Sequence, residues 1–124
     1  MPGLLPFHMG AFVTAAEAGV PFAIATPQAL RPRDLRFAAA VARRGGLSDA
    51  QALRAVTLSA AEVLGVADRV GSLVPGKDAD FAVLNGPPMQ ATSSVVATWI
   101  GGQPAWKARE SERAFVLEVD ELHL

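Results

Sequence analysis

Residues 46–102 decide the fold, and they read GLSDAQALRAVTLSAAEVLGVADRVGSLVPGKDADFAVLNGPPMQATSSVVATWIGG. Residues 48–51 (SDAQ) have the S-x-x-Q pattern of a capping box, and residues 59–62 (SAAE) repeat it as S-x-x-E. We therefore predict one helix from residue 48 through Ala55 and a second short helix that runs to Leu64. The residues predicted to face inward from the first of these helices are Ala52, Leu53 and Val56.

The second half of this stretch has the pattern of an antiparallel sheet. Residues 81–84 (FAVL) and 95–100 (VVATWI) are short apolar runs between turn residues, which is typical of strands. Residues 101–102 are both glycine, so they predict a two-residue hairpin turn with residues 103–106 as the returning strand. Residues 114–119 predict one further strand.

The part of the chain before this stretch has the pattern of a helix–strand–helix unit. Apolar residues recur at helical spacing in residues 9–18, and residues 33–44 predict a stronger helix that ends at a glycine pair. Between them, residues 21–26 (PFAIAT) predict a strand buried on both faces, as in a parallel sheet. The composition divides the chain into an α/β half, residues 1–65, and a β half, residues 66–124.

Composition excludes several classes of function. The chain has 124 residues, 51% of them apolar and 19% charged, with a net charge of −1. It has no basic excess to bind a phosphate backbone and no apolar run of the roughly 18 residues that suggest a membrane span, so we expect neither nucleic acid nor membrane as a partner. Cysteine is absent, which excludes disulfides and thiolate chemistry. The compartment stays open, with the cytoplasm slightly favoured.

Residues 46–102 resemble the C-terminal tail of the amidohydrolase superfamily, in particular its imidazolonepropionase-like and dihydroorotase-like members. The resemblance is carried by the helical hairpin of residues 46–65, the segment VGSLVPGKDADFAVL at 70–84 and the hairpin VVATWIGG at 95–102. It implies an α/β fold: the C-terminal remnant of a (β/α)8 barrel, with residues 21–26 as its last strand, plus the small flanking composite β-domain. It also implies hydrolysis of non-peptide carbon–nitrogen bonds with a divalent metal such as zinc.

The resemblance further implies metal ligands that this sequence lacks. Members of the family have an H-x-H pair on the first barrel strand and an aspartate after the last strand. Here Pro27 stands at the position of that aspartate, and proline has no side-chain oxygen to bind a metal or accept a proton. Asp34 is the nearest carboxylate downstream and stays open as a substitute. His8 and His123, the only histidines, form no pair. We therefore expect no catalytic, cofactor-binding or metal-binding residue in this chain.

Other polar and aromatic residues have a structural interpretation beside a functional one. Asp78 and Asp80 predict loop carboxylates that bind nearby amides, with an acid–base or metal site as the alternative. Lys77 predicts an exposed loop lysine, and Trp99 and Trp106 predict packing in a β-layer. Three arginines near the end of the last strand could hold an anion, or could simply form a solvated helix face. They are Arg31, Arg33 and Arg36.

Three hypotheses follow for the function. First, the chain carries the family's hydrolase fold but is inactive in isolation, because most of the barrel is missing. Second, it is a non-catalytic module or split-gene subunit that docks on a partner chain, or on itself, through an exposed apolar barrel face. Third, it is a free-standing hydrolase with an unrecognised site, against which the missing histidine pair argues.

Overall fold

Four short helices precede a three-stranded antiparallel sheet in the computed structural model, which describes residues 10–26 and 35–109. The chain divides into two compact units, Met1–Ser72 and Leu73–Leu124, which we call the helical unit and the β unit. The fold is therefore of mixed α and β type. The assignment of residues 1–65 to a barrel and 66–124 to a β-domain stays a prediction. No helix in the described ranges is long and apolar enough to cross a membrane.

The helical unit contains α1 (Ala11–Glu17), α2 (Leu35–Arg44), α3 (Asp49–Ala55) and α4 (Leu58–Val63). Each of them lies where the sequence predicted a helix. The glycines after α1 and α4, Gly19 and Gly65, adopt φ of 68° and 72°, the left-handed conformation that ends a helix without a Cβ penalty. The predicted ends of these two helices, residues 18 and 64, agree with the structure to within one residue.

Alanine forms most of the buried core of the helical unit. Ala39 and Ala42 of α2 are fully buried, as are Ala52 and Ala55 of α3, and their small side chains let the helix backbones approach closely. The prediction that Leu53 faces inward is wrong, because Leu53 is exposed and Ala55 takes the buried position. The other buried apolar residues of this unit are Ile24, Leu47 and Ala61.

The two predicted capping boxes have different outcomes. At α3, the Ser48 hydroxyl accepts a hydrogen bond from the Gln51 amide at 3.1 Å, and the Gln51 side chain accepts one from the Ser48 amide at 2.9 Å, so this box is confirmed. At α4 the prediction is wrong. That helix begins one residue before Ser59, and its N-cap residue, Thr57, donates its hydroxyl to the Leu53 carbonyl at 2.8 Å instead of capping.

The prediction of a strand at residues 21–26 is also wrong. These residues form neither helix nor strand in the structure. Their Ile24 amide donates to the Ala55 carbonyl at 3.0 Å, and the Phe22 ring lies 5.6 Å from the ring of Phe12 in α1. A parallel strand needs neighbouring strands for its backbone groups, and the described helical unit supplies helices instead.

The β unit is a sheet of β1 (Phe81–Leu84), β2 (Val95–Ile100) and β3 (Gln103–Lys107) in the order β1-β2-β3, with both pairs antiparallel. The strand predictions and the hairpin are confirmed. Gly101 and Gly102 have φ of 57° and 76°, as a two-residue turn with two left-handed positions requires. The predicted strand at residues 114–119 lies outside the described residues.

A closed loop between β1 and β2 completes the β unit. The Asn85 amide donates to the Ser94 carbonyl at 3.1 Å, and the Ser94 amide donates to Asn85 Oδ1 at 2.7 Å. Within the loop, Met89 and Ser93 are buried, and Ala97 is the buried residue of β2. The loop therefore supplies the small core of this unit, a role for Asn85 and Ser94 that the sequence did not indicate.

Candidate functional site

Three carboxylates of the described residues are bound to other protein groups at separate places along the chain. Asp49 at the start of α3 pairs with Arg43 of α2. Glu62 of α4 accepts a hydrogen bond from Arg54 of α3 at 2.8 Å. These two ion pairs join α2 to α3 and α3 to α4, and their half-exposed side chains place them among the weaker contributors to stability.

Asp80 has a structural task in the β unit. Its Oδ1 accepts a hydrogen bond from the Gly101 amide at 2.7 Å, and the Gly102 amide donates to the Ala79 carbonyl at 3.0 Å. The sequence predicts bonds to nearby loop amides, and this prediction is wrong for Asp80 because its partner lies 21 residues away. The reason is the strand register: Phe81 pairs with Trp99, which places Asp80 beside the hairpin turn.

The neighbours of Asp80 give no catalytic constellation. Lys77 and Asp78 are half-buried and have partners of their own. Among the described residues, no three histidine, cysteine, aspartate or glutamate side chains come together in a group that could hold a metal ion. The donor groups in residues 10–26 and 35–109 therefore do not fit the divalent metal that the amidohydrolase resemblance implies.

Trp99 packs within the sheet surface, as the sequence analysis predicted. Its ring stacks on Phe81 with centroids 5.7 Å apart and an interplanar angle of 12°. The Lys107 Nζ lies 5.7 Å from the Trp99 ring centroid, within the range of a cation–π contact. Trp106 of β3 pairs with Thr98 of β2. β3 is an edge strand, and all five of its residues are exposed. The sheet surface around Trp99 is thus already occupied by side chains of the same unit.

Several candidate residues lie outside the described part of the chain. These residues are His8, Pro27, Arg31, Arg33, Asp34 and His123. Their proposed roles, or the lack of a role at Pro27, stay predictions. Arg36 is described: it lies in α2, is half-buried and has a partner of its own. The structure therefore does not bring the predicted arginine cluster together as a described group.

The helical unit also exposes large apolar side chains. Phe37 of α2 is 68% exposed, and Leu64, the C-cap residue that follows α4, is 76% exposed. Val63 beside it is exposed as well. We call these three residues the exposed apolar set. Single exposed apolar residues are common in proteins, but a Phe and a Leu exposed to this degree lose most of the stabilisation that burial would give them.

The helices and the antiparallel sheet make this a protein of the mixed α and β class. Its described residues contain no group of side chains that could hold a metal ion. The sequence identifies the family. Residues 16–105 match the amidohydrolase family, and the chain belongs to that family of carbon–nitrogen hydrolases.

Individual relatives agree with this assignment. The chain is 39% identical over 92 residues to an imidazolonepropionase from Syntrophobacter fumaroxidans, covering 71% of this chain and 21% of that protein. It is 42% identical over 66 residues to the N-acetylglucosamine-6-phosphate deacetylase of Rattus norvegicus, covering 53% of this chain and 15% of that protein. The chain thus spans about a fifth or less of the length of these curated relatives.

A solved structure has a similar fold. The crystal structure of an amidohydrolase from Thermotoga maritima superposes with a TM-score of 0.76 and 32% sequence identity. The similarity covers 81% of this chain and 26% of the Thermotoga chain. The chain is therefore similar in fold to about a quarter of that larger protein.

Proposed function

We propose that this chain supplies the C-terminal part of a metal-dependent amidohydrolase that cleaves a non-peptide carbon–nitrogen bond. The observation that carries the proposal is the family match over residues 16–105, joined to a structural similarity that covers a quarter of a complete amidohydrolase. The names of the relatives suggest cyclic amide-like or N-acetyl substrates, such as those of imidazolonepropionase and N-acetylglucosamine-6-phosphate deacetylase.

In this proposal the two units have different places in the complete fold. Residues 21–26, irregular in this structure, correspond to the last barrel strand of the complete fold, and α2, α3 and α4 correspond to helices at the C-terminal side of the barrel. β1, β2 and β3 belong to the composite β-domain.

The isolated chain is inactive in this proposal. Hydrolytic zinc sites use about three protein ligands, commonly histidine and carboxylate. In the described residues, Asp49, Glu62 and Asp80 are each bound to another group of the protein and no three possible ligands come together, while Pro27 provides no side-chain donor. The metal ligands and the reacting groups must therefore come from polypeptide that carries the other barrel strands.

Two measurements on the purified chain test this proposal. We expect substoichiometric zinc, manganese and iron by inductively coupled plasma mass spectrometry after dialysis against each metal. We also expect no turnover of imidazolonepropionate or N-acetylglucosamine 6-phosphate. Stoichiometric metal together with hydrolysis that a chelator abolishes would overturn the inactivity of the isolated chain.

A positive arm of the experiment tests the family activity. The chain is expressed together with a polypeptide that carries the other barrel strands and the H-x-H pair, and the same substrates are assayed. Metal-dependent turnover by the pair, absent from each half alone, supports the proposal. A pair that co-purifies, binds metal and hydrolyses neither an amide nor a cyclic amide would count against it.

The exposed apolar set favours a second candidate function, in which the helical unit docks on a partner chain. Burying such side chains stabilises an interface by about 25 cal/mol per Å² of apolar surface. Leu64→Ser should therefore weaken co-purification with the barrel-bearing polypeptide. Leu73→Ser is the matched control, since Leu73 is 73% exposed but lies in the β unit. Equal retention of both variants would contradict docking through the helical unit.

A further inference from the structure

We draw no further inference here: the strongest candidate, the exposed apolar set of Phe37, Val63 and Leu64 on helices α2 and α4, carries nothing beyond the docking already proposed, because nothing in the described residues shows what covers it.

Discussion

Gly71 offers the sharpest test of how the helical unit is packed. Its φ is 93°, a conformation that costs a residue with a side chain about 1–2 kcal/mol. A Cβ placed there would lie 2.7 Å from the Ala61 Cβ, 3.1 Å from the Leu58 Cα and 3.2 Å from the Thr57 carbonyl oxygen. Two of these three atoms belong to the backbone around the start of α4, so the neighbours cannot move aside by a rotamer change.

The expected effect of Gly71→Ala therefore has two parts. The backbone strain adds to an overpacking cost of about 1–3 kcal/mol, which gives a loss in the free energy of unfolding of about 2–5 kcal/mol. Gly76→Ala is the matched control. Gly76 has nearly the same φ, 95°, but no atom within 4 Å of the added Cβ, so this variant should lose only the strain part, about 1–2 kcal/mol.

Urea unfolding followed by circular dichroism at 222 nm measures the difference. All helices of the described chain lie in the helical unit, so this signal reports the unit that contains Gly71. Both tryptophans lie in the β unit, and their fluorescence follows that unit separately. Because Gly76 lies in the β unit, fluorescence measures the loss in Gly76→Ala and circular dichroism measures the loss in Gly71→Ala. If Gly71→Ala loses no more free energy of unfolding than Gly76→Ala, the contacts of the added Cβ with α4 cost nothing and the reasoning fails.

Three further predictions follow from the capping box, the hairpin and the missing carboxylate. Ser48→Ala should lower the free energy of unfolding by about 1 kcal/mol, because it removes the hydroxyl that accepts a hydrogen bond from the Gln51 backbone amide. Ser48→Asp should keep the stability, since a carboxylate also accepts this bond, and thermal unfolding compares the two variants. Asp80→Ala should lower the stability of the hairpin by about 0.5–1.5 kcal/mol, since the Gly101 amide loses its acceptor, whereas Asp80→Asn retains an acceptor oxygen. Hydrogen exchange of the Gly101 amide should be faster in the alanine variant alone, and equal exchange in both variants contradicts the bond. Pro27→Asp should give no activity, because one carboxylate cannot complete a metal site; metal-dependent turnover by that variant in isolation would refute this.

The elements that the sequence predicted well are those fixed by local chemistry. Gly101 and Gly102 provide the two left-handed positions of a hairpin, and this pairs Ile100 of β2 with Gln103 of β3 beside the turn. The capping box of Ser48 and Gln51 begins α3 by bonds within four residues. Signals of this kind need no partner from elsewhere in the chain, so they can be interpreted without knowing the tertiary structure.

The predictions that are wrong depended on distant partners. Residues 21–26 have the composition of a buried strand, but a strand forms only beside other strands. Ser59 begins a second S-x-x-E pattern, but the hydroxyl of Thr57 bonds back to α3, and the helix begins before the serine. The sequence predicts local bonds for Asp80, because sequence distance gives no information on the register that places it beside Gly101.

In the candidate site, too, local patterns predicted some contacts, and contacts between distant residues were not predicted. The sequence predicted that Trp99 packs in the sheet, and the stacking on Phe81 agrees, because aromatic residues on paired strands meet across the ladder. The ion pairs of Arg43 with Asp49 and of Arg54 with Glu62 follow no helical spacing, so no pattern predicted them. The metal chemistry of the family was inferred from resemblance alone, and no charge or spacing in these residues would have indicated it.

The alanine-rich interior has a consequence for how this segment tolerates change. A methyl group contributes little apolar area, so burial of the alanines of α2 and α3 gives only a small hydrophobic stabilisation. The contact between the two helices therefore depends on their close packing. Exchanging Ala39 or Ala52 for valine would add volume at a fully buried position, and exchanging either for glycine would increase chain entropy in the unfolded state. Sequence drift at these positions is therefore restricted in both directions, towards larger and towards smaller side chains.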